Sequence, residues 1–175
     1  MKHTKLKMLI RWTNLIVGGF HLATVLFAIL LPFVCAALIP LLYRRLRRMA
    51  HLGWFVLSVP IILFILLARY IPQIAEGKTF IDTYEWIPSF NINFTTYLDG
   101  LSIIFGLLIT GVGSLVILYS IFYLSTKESL HHFYCYLLLF MGAMLGVVFS
   151  DNLMVLYTFW ELTSVSSFLL IAFWH

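Results

Sequence analysis

The stretch from Ser150 to Trp174 reads SDNLMVLYTFWELTSVSSFLLIAFW, and it decides the fold class because it is apolar enough to cross a bilayer. Glu161 lies near its middle. At a helical rise of about 1.5 Å per residue, the path from Asn152 places this carboxyl group about 13–14 Å into the helix. That depth is close to the midplane of a hydrocarbon core about 30 Å thick. A charged carboxylate there costs about 3 kcal/mol or more unless it is paired, protonated or hydrated.

Polar side chains accompany Glu161 along one side of the predicted helix. Tyr157, Thr158 and Ser164 lie three or four positions away, so helical geometry places them on the glutamate's side. The leucines nearby lie away from it: Leu156, Leu162 and Leu169. This polar stripe must face protein or water, and an ion or proton pathway is the usual role of such a residue. The alternative is a protonated structural carboxyl group that hydrogen bonds to a neighbouring helix.

The composition of the whole chain is that of an integral membrane protein. Hydrophobic residues make up 62% of the sequence and charged residues only 10%, which no soluble globular domain matches. The net charge of +4 does not indicate a nucleic-acid partner, because most cations flank apolar runs, as is usual beside a bilayer. One cluster lies in the first eleven residues, and the other is Arg44, Arg45, Arg47 and Arg48.

The apolar runs predict an all-α polytopic membrane protein with about five transmembrane helices. The first four are predicted at His21–Tyr43, Gly53–Ile71, Asp99–Tyr123 and Phe133–Phe149, and the fifth follows Asn152. Between helices 2 and 3, the polar interval 72–98 contains two segments that alternate apolar and polar residues, starting at Thr79 and Ile92. Alternation of this kind predicts a β-hairpin, which we expect on the extracytoplasmic membrane surface.

Charge in the short loops predicts the orientation. The loop 44–52 carries four arginines and is expected in the cytoplasm, and 72–98 is expected on the opposite side, which leaves the N-terminus outside. Residues 1–20 look like a signal peptide, but the apolar run continues to Leu42 and ends on the arginines, so we predict a retained helix. Because their basic charge contradicts the orientation, residues 1–20 are interpreted as an extension outside the fold, or else as an interfacial segment.

Small residues repeat at four-residue spacing in the third and fourth helices, and this spacing predicts close helix packing. The packing residues proposed on this basis are Gly106, Gly142 and Gly146. Asp99 is predicted to cap the third helix, and Asp151 with Asn152 to form a tight turn that caps the fifth.

No residue pattern calls for bound cofactors or enzyme chemistry. The sequence shows no nucleotide-binding glycine loop, no Cys/His metal cluster and no Ser/His/Asp set. Cys35 and Cys135 fall in separate apolar segments and are interpreted as buried thiols with no redox or metal role. His131 and His132 adjoin in a predicted loop, where a metal site is a minor alternative.

Several segments resemble the antiporter-like subunits shared by respiratory complex I and the multisubunit Mrp-type Na+/H+ antiporters. They are Trp86-Ile-Pro, FTTYLDGLS from Phe94, TGVGSLVILYS from Thr110, MGAMLGVVFSDNL from Met141 and YTFWELTSVSSFLLI from Tyr157. The resemblance covers residues 21–174 and is closest to the A-type subunit of the Mrp antiporters. In the large complex I subunit the glutamate is typically followed by glycine, whereas here Leu162 follows it, as in the Mrp type.

The resemblance implies that Glu161 is the fifth-helix glutamate of a proton channel, whose usual partner is a lysine on the seventh helix. Because the sequence stops just past the fifth helix, residues 21–175 are interpreted as the N-terminal part of a longer membrane domain. The implied partners are the other subunits of a hetero-oligomeric complex, the lipid bilayer, and the transported H+ and Na+. No cofactor is implied, and the expected location is a bacterial cell membrane.

Three functions remain open at this point. The leading one is a secondary transporter subunit, not an enzyme, in which proton translocation is coupled to Na+ efflux. The second is a proton-pumping membrane subunit of NADH–quinone oxidoreductase, which would be part of a translocase. The third is a passive membrane scaffold, which requires Glu161 to be dispensable.

Overall fold

The computed structural model describes residues 23–41, 43, 49–87, 92–123 and 130–173. The N-terminal extension 1–20 and the four loop arginines lie outside this part of the chain. The elements in order are α1 (Ala23–Leu41), α2 (Met49–Ala68), α3 (Ile71–Ala75), β1 (Phe80–Ile87), β2 (Ile92–Leu98), α4 (Gly100–Tyr123), α5 (Leu130–Phe149) and α6 (Leu153–Ala172). Within the described residues, five helices are long and apolar enough to cross a membrane, which confirms the predicted fold class.

Two of the helices start earlier than the sequence pattern predicts. Helix α2 begins at Met49 and α5 at Leu130, each a few residues before the predicted start. His131 and His132 therefore lie in the first turn of α5, which corrects their assignment to a loop. The physical reason is that histidine is not a helix breaker, so neither residue ends a helix that the following apolar run already favours.

The predicted hairpin is present and is preceded by a short helix that the sequence pattern did not predict. Strand β1 pairs with β2 in antiparallel register, from Phe80 opposite Leu98 to Ile87 opposite Ile92, with an irregularity before Ile87. Helix α3 precedes the hairpin and ends at Ala75; Gly77, two residues later, has a φ of 80°. The Gly77 amide donates to the Ile74 carbonyl at 2.9 Å, which is the usual way in which a left-handed glycine closes a helix.

Helix α4 begins with a reciprocal cap. The carboxylate of Asp99 accepts a hydrogen bond from the Ser102 amide at 2.8 Å, and the Ser102 hydroxyl accepts one from the Asp99 amide at 2.8 Å. Two amides at the helix end are thereby satisfied, in the manner of a capping box. The geometry agrees with the cap predicted at Asp99.

Helix α5 lies at the centre of the bundle. Helices α4 and α6 pack along it, and α1 contacts it where the Cys135 thiol donates to the Ala36 carbonyl at 3.4 Å. Helix α2 packs mainly against α4. The core between them contains fully buried side chains from several helices, including Leu63, Tyr134 and Phe149.

Two of the glycines predicted to serve packing, one in α4 and one in α5, face aromatic rings of other helices. A Cβ atom at Gly106 would lie 2.9 Å from Cζ of Phe149, and one at Gly142 would lie 3.0 Å from the ring of Phe33. Small residues in membrane helices commonly let two backbones approach. Here these two create hollows that side chains from neighbouring helices fill.

The contacts at the two ends of the bundle agree with helices that alternate in direction. At one end, the rings of Tyr43, which follows α1, and of His131 stack with centroids 4.1 Å apart. At the other end, the Asp151 amide donates to the Thr95 carbonyl at 3.0 Å, which brings the hairpin against the α5–α6 turn. The C-terminal end of α1 therefore lies at the opposite end of the bundle from the hairpin.

Candidate functional site

Helix α6 carries the candidate site, and its start is fixed by a tight turn. The Asn152 side chain accepts a hydrogen bond from the Met154 amide at 2.9 Å and is the N-cap. The prediction that Asp151 also caps this helix is wrong: the side chain of Asp151 is exposed, while its backbone amide bonds to strand β2. The reason is positional, because only the residue directly before the first helical turn aims its side chain at the free amides.

Strand β2 extends its pairing onto this turn. Thr96 forms an antiparallel bridge with Ser150, beside the bond between the Asp151 amide and the Thr95 carbonyl. Both Thr96 and Ser150 are buried. The hairpin therefore holds the turn from which α6 starts, although the two segments are separated by two transmembrane helices.

Replacing Asp151 with proline tests this anchor, because proline removes the amide hydrogen and leaves the chain length unchanged. Ser150 already lies in a β-bridge, which satisfies the restriction that proline places on the preceding residue. We expect a loss of about 1 kcal/mol of stability, measured by thermal unfolding of the detergent-solubilised protein. The control Asp151→Ala keeps the amide and should stay within about 0.5 kcal/mol of the wild type. Equal stability of the two variants would contradict the anchor.

One face of α6 packs on α5 and the opposite face is exposed. Val155 and Ser166 are its fully buried residues, and Phe159 is half-buried between them on the same face. Glu161 is exposed on the other side, and so is Tyr157, whose side chain is 60% exposed. The polar stripe predicted from helical spacing is therefore found on the face of α6 that the described helices leave uncovered.

Within the stripe, Glu161 has one side-chain partner. The Tyr157 hydroxyl, one turn before it, lies close enough to the Glu161 carboxylate to interact with it. Thr158 and Ser164 share the exposed face, but their hydroxyls donate to carbonyls of their own helix, at 2.9 Å to Met154 and 3.4 Å to Trp160. The structure thus joins Tyr157 to Glu161 and leaves the other two hydroxyls bonded to the backbone.

Glu161 is the only carboxylate within the five described membrane-crossing helices. No group of three His, Cys, Asp or Glu residues in the described ranges is arranged to hold a metal ion. The exposed face therefore offers one ionisable group and a tyrosine hydroxyl. Such a pair can exchange a proton, whereas the stripe holds no second carboxylate to complete a cation site.

Two features of the site were not predicted from the sequence. The first is Phe159, whose ring fills the space above Gly146 on α5. The second is the backbone bond from Asp151 to Thr95. The four-residue glycine spacing was a signal for the first, but it does not tell which side chain occupies the hollow.

Comparison with curated sequences shows close relatives. The chain is 61% identical over 148 residues to the A1 subunit of the Na(+)/H(+) antiporter of Staphylococcus aureus, and 62% identical over 148 residues to that of Staphylococcus haemolyticus. Each match covers 85% of this chain and 18% of the relative, so the chain spans about a fifth of the length of these relatives. Residues 86–134 also match the family model for the N-terminus of chain 5 of NADH-ubiquinone oxidoreductase (complex I).

Solved structures show the same helical arrangement. The Mrp complex from Dietzia sp. DQ12-45-1b contains a chain with 32% identity and a TM-score of 0.69, which covers 85% of this chain and 16% of that one. A chain of the membrane-bound sulfane sulfur reductase, an archaeal respiratory complex, has a TM-score of 0.70 at 21% identity and shows the fold alone. With the five apolar helices, these relatives identify a multi-pass protein of a bacterial membrane.

Proposed function

Because this chain is a homologue of the A-type subunit of the multisubunit Na+/H+ antiporters over 148 residues, we propose that it is the part of such a protein that carries a proton-translocating glutamate. Glu161 is the group that binds and releases the proton, in a cycle that couples proton uptake to Na+ efflux. The observation that carries this proposal is the position of Glu161 halfway along an apolar helix, on the face that the described helices leave uncovered.

Physical chemistry supports an exchangeable proton at this position. Removal from water favours the neutral carboxyl group, whereas a nearby cation or a hydrogen-bond donor favours the carboxylate. The neighbouring Tyr157 hydroxyl is a donor within reach of the carboxyl group. A lysine on a further helix, as the family resemblance implies, would supply the opposing charge, so that movement of that lysine would release or recapture the proton.

The exposed stripe also supports assembly with more protein. A carboxylate facing lipid is costly, so the face that carries Tyr157 and Glu161 needs a protein or water neighbour. The relatives are about five times as long as the matched region and bear the name of antiporter subunits. We therefore expect further helices and the other subunits of a hetero-oligomeric complex to cover this face.

The alternative function is a proton-pumping subunit of NADH–quinone oxidoreductase. It is favoured by the family model, which is named after complex I chain 5 and matches residues 86–134. The relatives at 61–62% identity favour the antiporter, because their match covers 85% of the chain.

The two functions are distinguished in inverted membrane vesicles from cells that express the full-length gene with its partner subunits. An antiporter releases protons when Na+ is added, whereas the alternative requires NADH oxidation.

Orientation gives a separate prediction. If the arginine-rich loop is cytoplasmic, the variant Arg47→Cys in the full-length protein should resist a membrane-impermeant thiol reagent in intact cells. The variant Glu76→Cys should react, because Glu76 is exposed at the hairpin end of the bundle. Permeabilised cells are the control, in which both variants should react. The reverse pattern in intact cells would place the hairpin in the cytoplasm.

A further inference from the structure

Phe159 occupies a hollow on α5 that exists because residue 146 is glycine. A Cβ atom at Gly146 would overlap the Phe159 ring, and this is the tightest contact found at any described glycine. The ring is also stacked on Phe33 of α1, with centroids 6.4 Å apart and planes 28° from parallel. The ring therefore contacts two helices, although it belongs to a third.

This contact lies on the face of α6 opposite the candidate site. Each residue of an α-helix turns the chain by about 100°, so two residues separate Phe159 from Glu161 by about 200°. The fully buried residues of α6, Val155 and Ser166, are small and share the face of Phe159. Phe159 is a large side chain of α6 that packs against the buried core. Its contact with Gly146 therefore influences which way the opposite face of α6 points.

Movement of α6 along its axis is already restricted. The turn between α5 and α6 is short, and the Asp151 amide is bonded to the Thr95 carbonyl of β2. The Ser150 hydroxyl also donates to the Gly146 carbonyl at 2.6 Å, which ties the turn to the same part of α5. Rotation about the helix axis remains, and the contact between Gly146 and Phe159 restricts that rotation.

We propose that Gly146 and Phe159 form a ring-and-hollow lock that sets the rotation of α6 and thereby aims Glu161 away from α5. Both are positioning residues, since neither touches the carboxyl group. Only the consequence of the lock for transport rests on the proposed function, in which Glu161 carries the proton. The rotation of α6 is a property of the packing and is measured without transport.

The first test measures rotation directly, in the full-length protein within its complex and in a background whose other cysteines are replaced. Single variants Ser164→Cys and Leu162→Cys report the stripe face and the α5 face, and the ratio of their labelling rates with a small maleimide reports rotation. We expect the ratio to fall severalfold when Gly146→Ala is added, and to recover when Phe159→Leu is combined with it. The control is Gly106→Ala, which crowds Phe149 and Leu67 without touching α6.

Each outcome of this test either supports or overturns the lock. If the ratio is the same in Gly146→Ala as in Gly106→Ala, the lock is overturned. If Gly146→Ala does not accumulate, accumulation of the double variant Gly146→Ala with Phe159→Leu is measured instead. Restored accumulation supports the fit of ring and hollow. If the double variant also fails to accumulate, the lock is overturned.

The second test measures function in the same proteins. A displacement of about 1 Å at a reacting group lowers a rate by up to about 100-fold, so Gly146→Ala should lower the antiport rate per assembled complex by about tenfold or more and shift its pH optimum. Gly106→Ala should keep the wild-type pH optimum. If labelling shifts while Glu161→Gln transports normally, the lock stands and the proposed role of Glu161 fails. Unchanged labelling overturns the lock whatever Glu161→Gln does.

Discussion

Replacing Glu161 with glutamine in the full-length protein will abolish proton-coupled Na+ efflux while the complex still assembles. Glutamine has nearly the same shape, and its amide oxygen is still an acceptor for the neighbouring Tyr157 hydroxyl. What it removes is titration, because an amide does not bind and release a proton in this pH range. Assembly is checked on native gels, and transport is followed as the Na+-induced pH change in inverted vesicles.

Two further variants make the Glu161 result specific. Glu161→Asp keeps the acid but retracts it by one methylene, so partial activity is expected. Glu76→Gln is the matched control, since it makes the same chemical change at an exposed carboxylate outside the membrane-crossing helices. Glu76 accepts a hydrogen bond from Lys78 at 2.8 Å, and this bond with the lysine's charge lowers the pKa of Glu76. Full transport by Glu161→Gln would leave Glu161 as a structural hydrogen-bonding group.

Replacing Phe149 with alanine will destabilise the protein strongly while leaving the polar stripe untouched. Phe149 is the last residue of α5 and is 0% exposed. Its ring fills the hollow at Gly106 of α4. Large-to-small core substitutions of this kind cost about 3–5 kcal/mol because the cavity closes only in part. In a bilayer this loss comes mainly from van der Waals packing contacts, because lipid provides no hydrophobic driving force for helix association.

The matched control for this prediction is Phe122→Ala. Phe122 is 76% exposed near the end of α4, so its removal should change stability by no more than about 0.5 kcal/mol. Thermal unfolding of both variants in the same detergent, followed by circular dichroism, gives the comparison. Similar shifts for the two phenylalanines would show that the end of α5 is not packed as described.

The sequence by itself determined the elements of this protein and the position of the candidate site along them. Apolar runs gave five helices, and alternation gave the two strands that pair from Phe80 to Leu98. Helical spacing alone placed Tyr157 and Ser164 on the side of Glu161, the face of α6 that the described helices leave uncovered. These features are local, because every backbone group in a bilayer must find its partner within its own helix, and side-chain direction follows from the helical repeat.

Only the tertiary structure decided how these elements face one another. Nothing near Asp151 in the sequence identifies the Thr95 carbonyl as the partner of its amide, and nothing near Gly146 identifies the Phe159 ring that fills its hollow. Both contacts join segments whose distance is set by the packing of whole helices. Glycine spacing indicates that a helix has room for a neighbour, but the shape of the neighbouring surface selects which side chain enters. The direction in which Glu161 points is therefore a result of packing, although its depth in the membrane follows from the sequence.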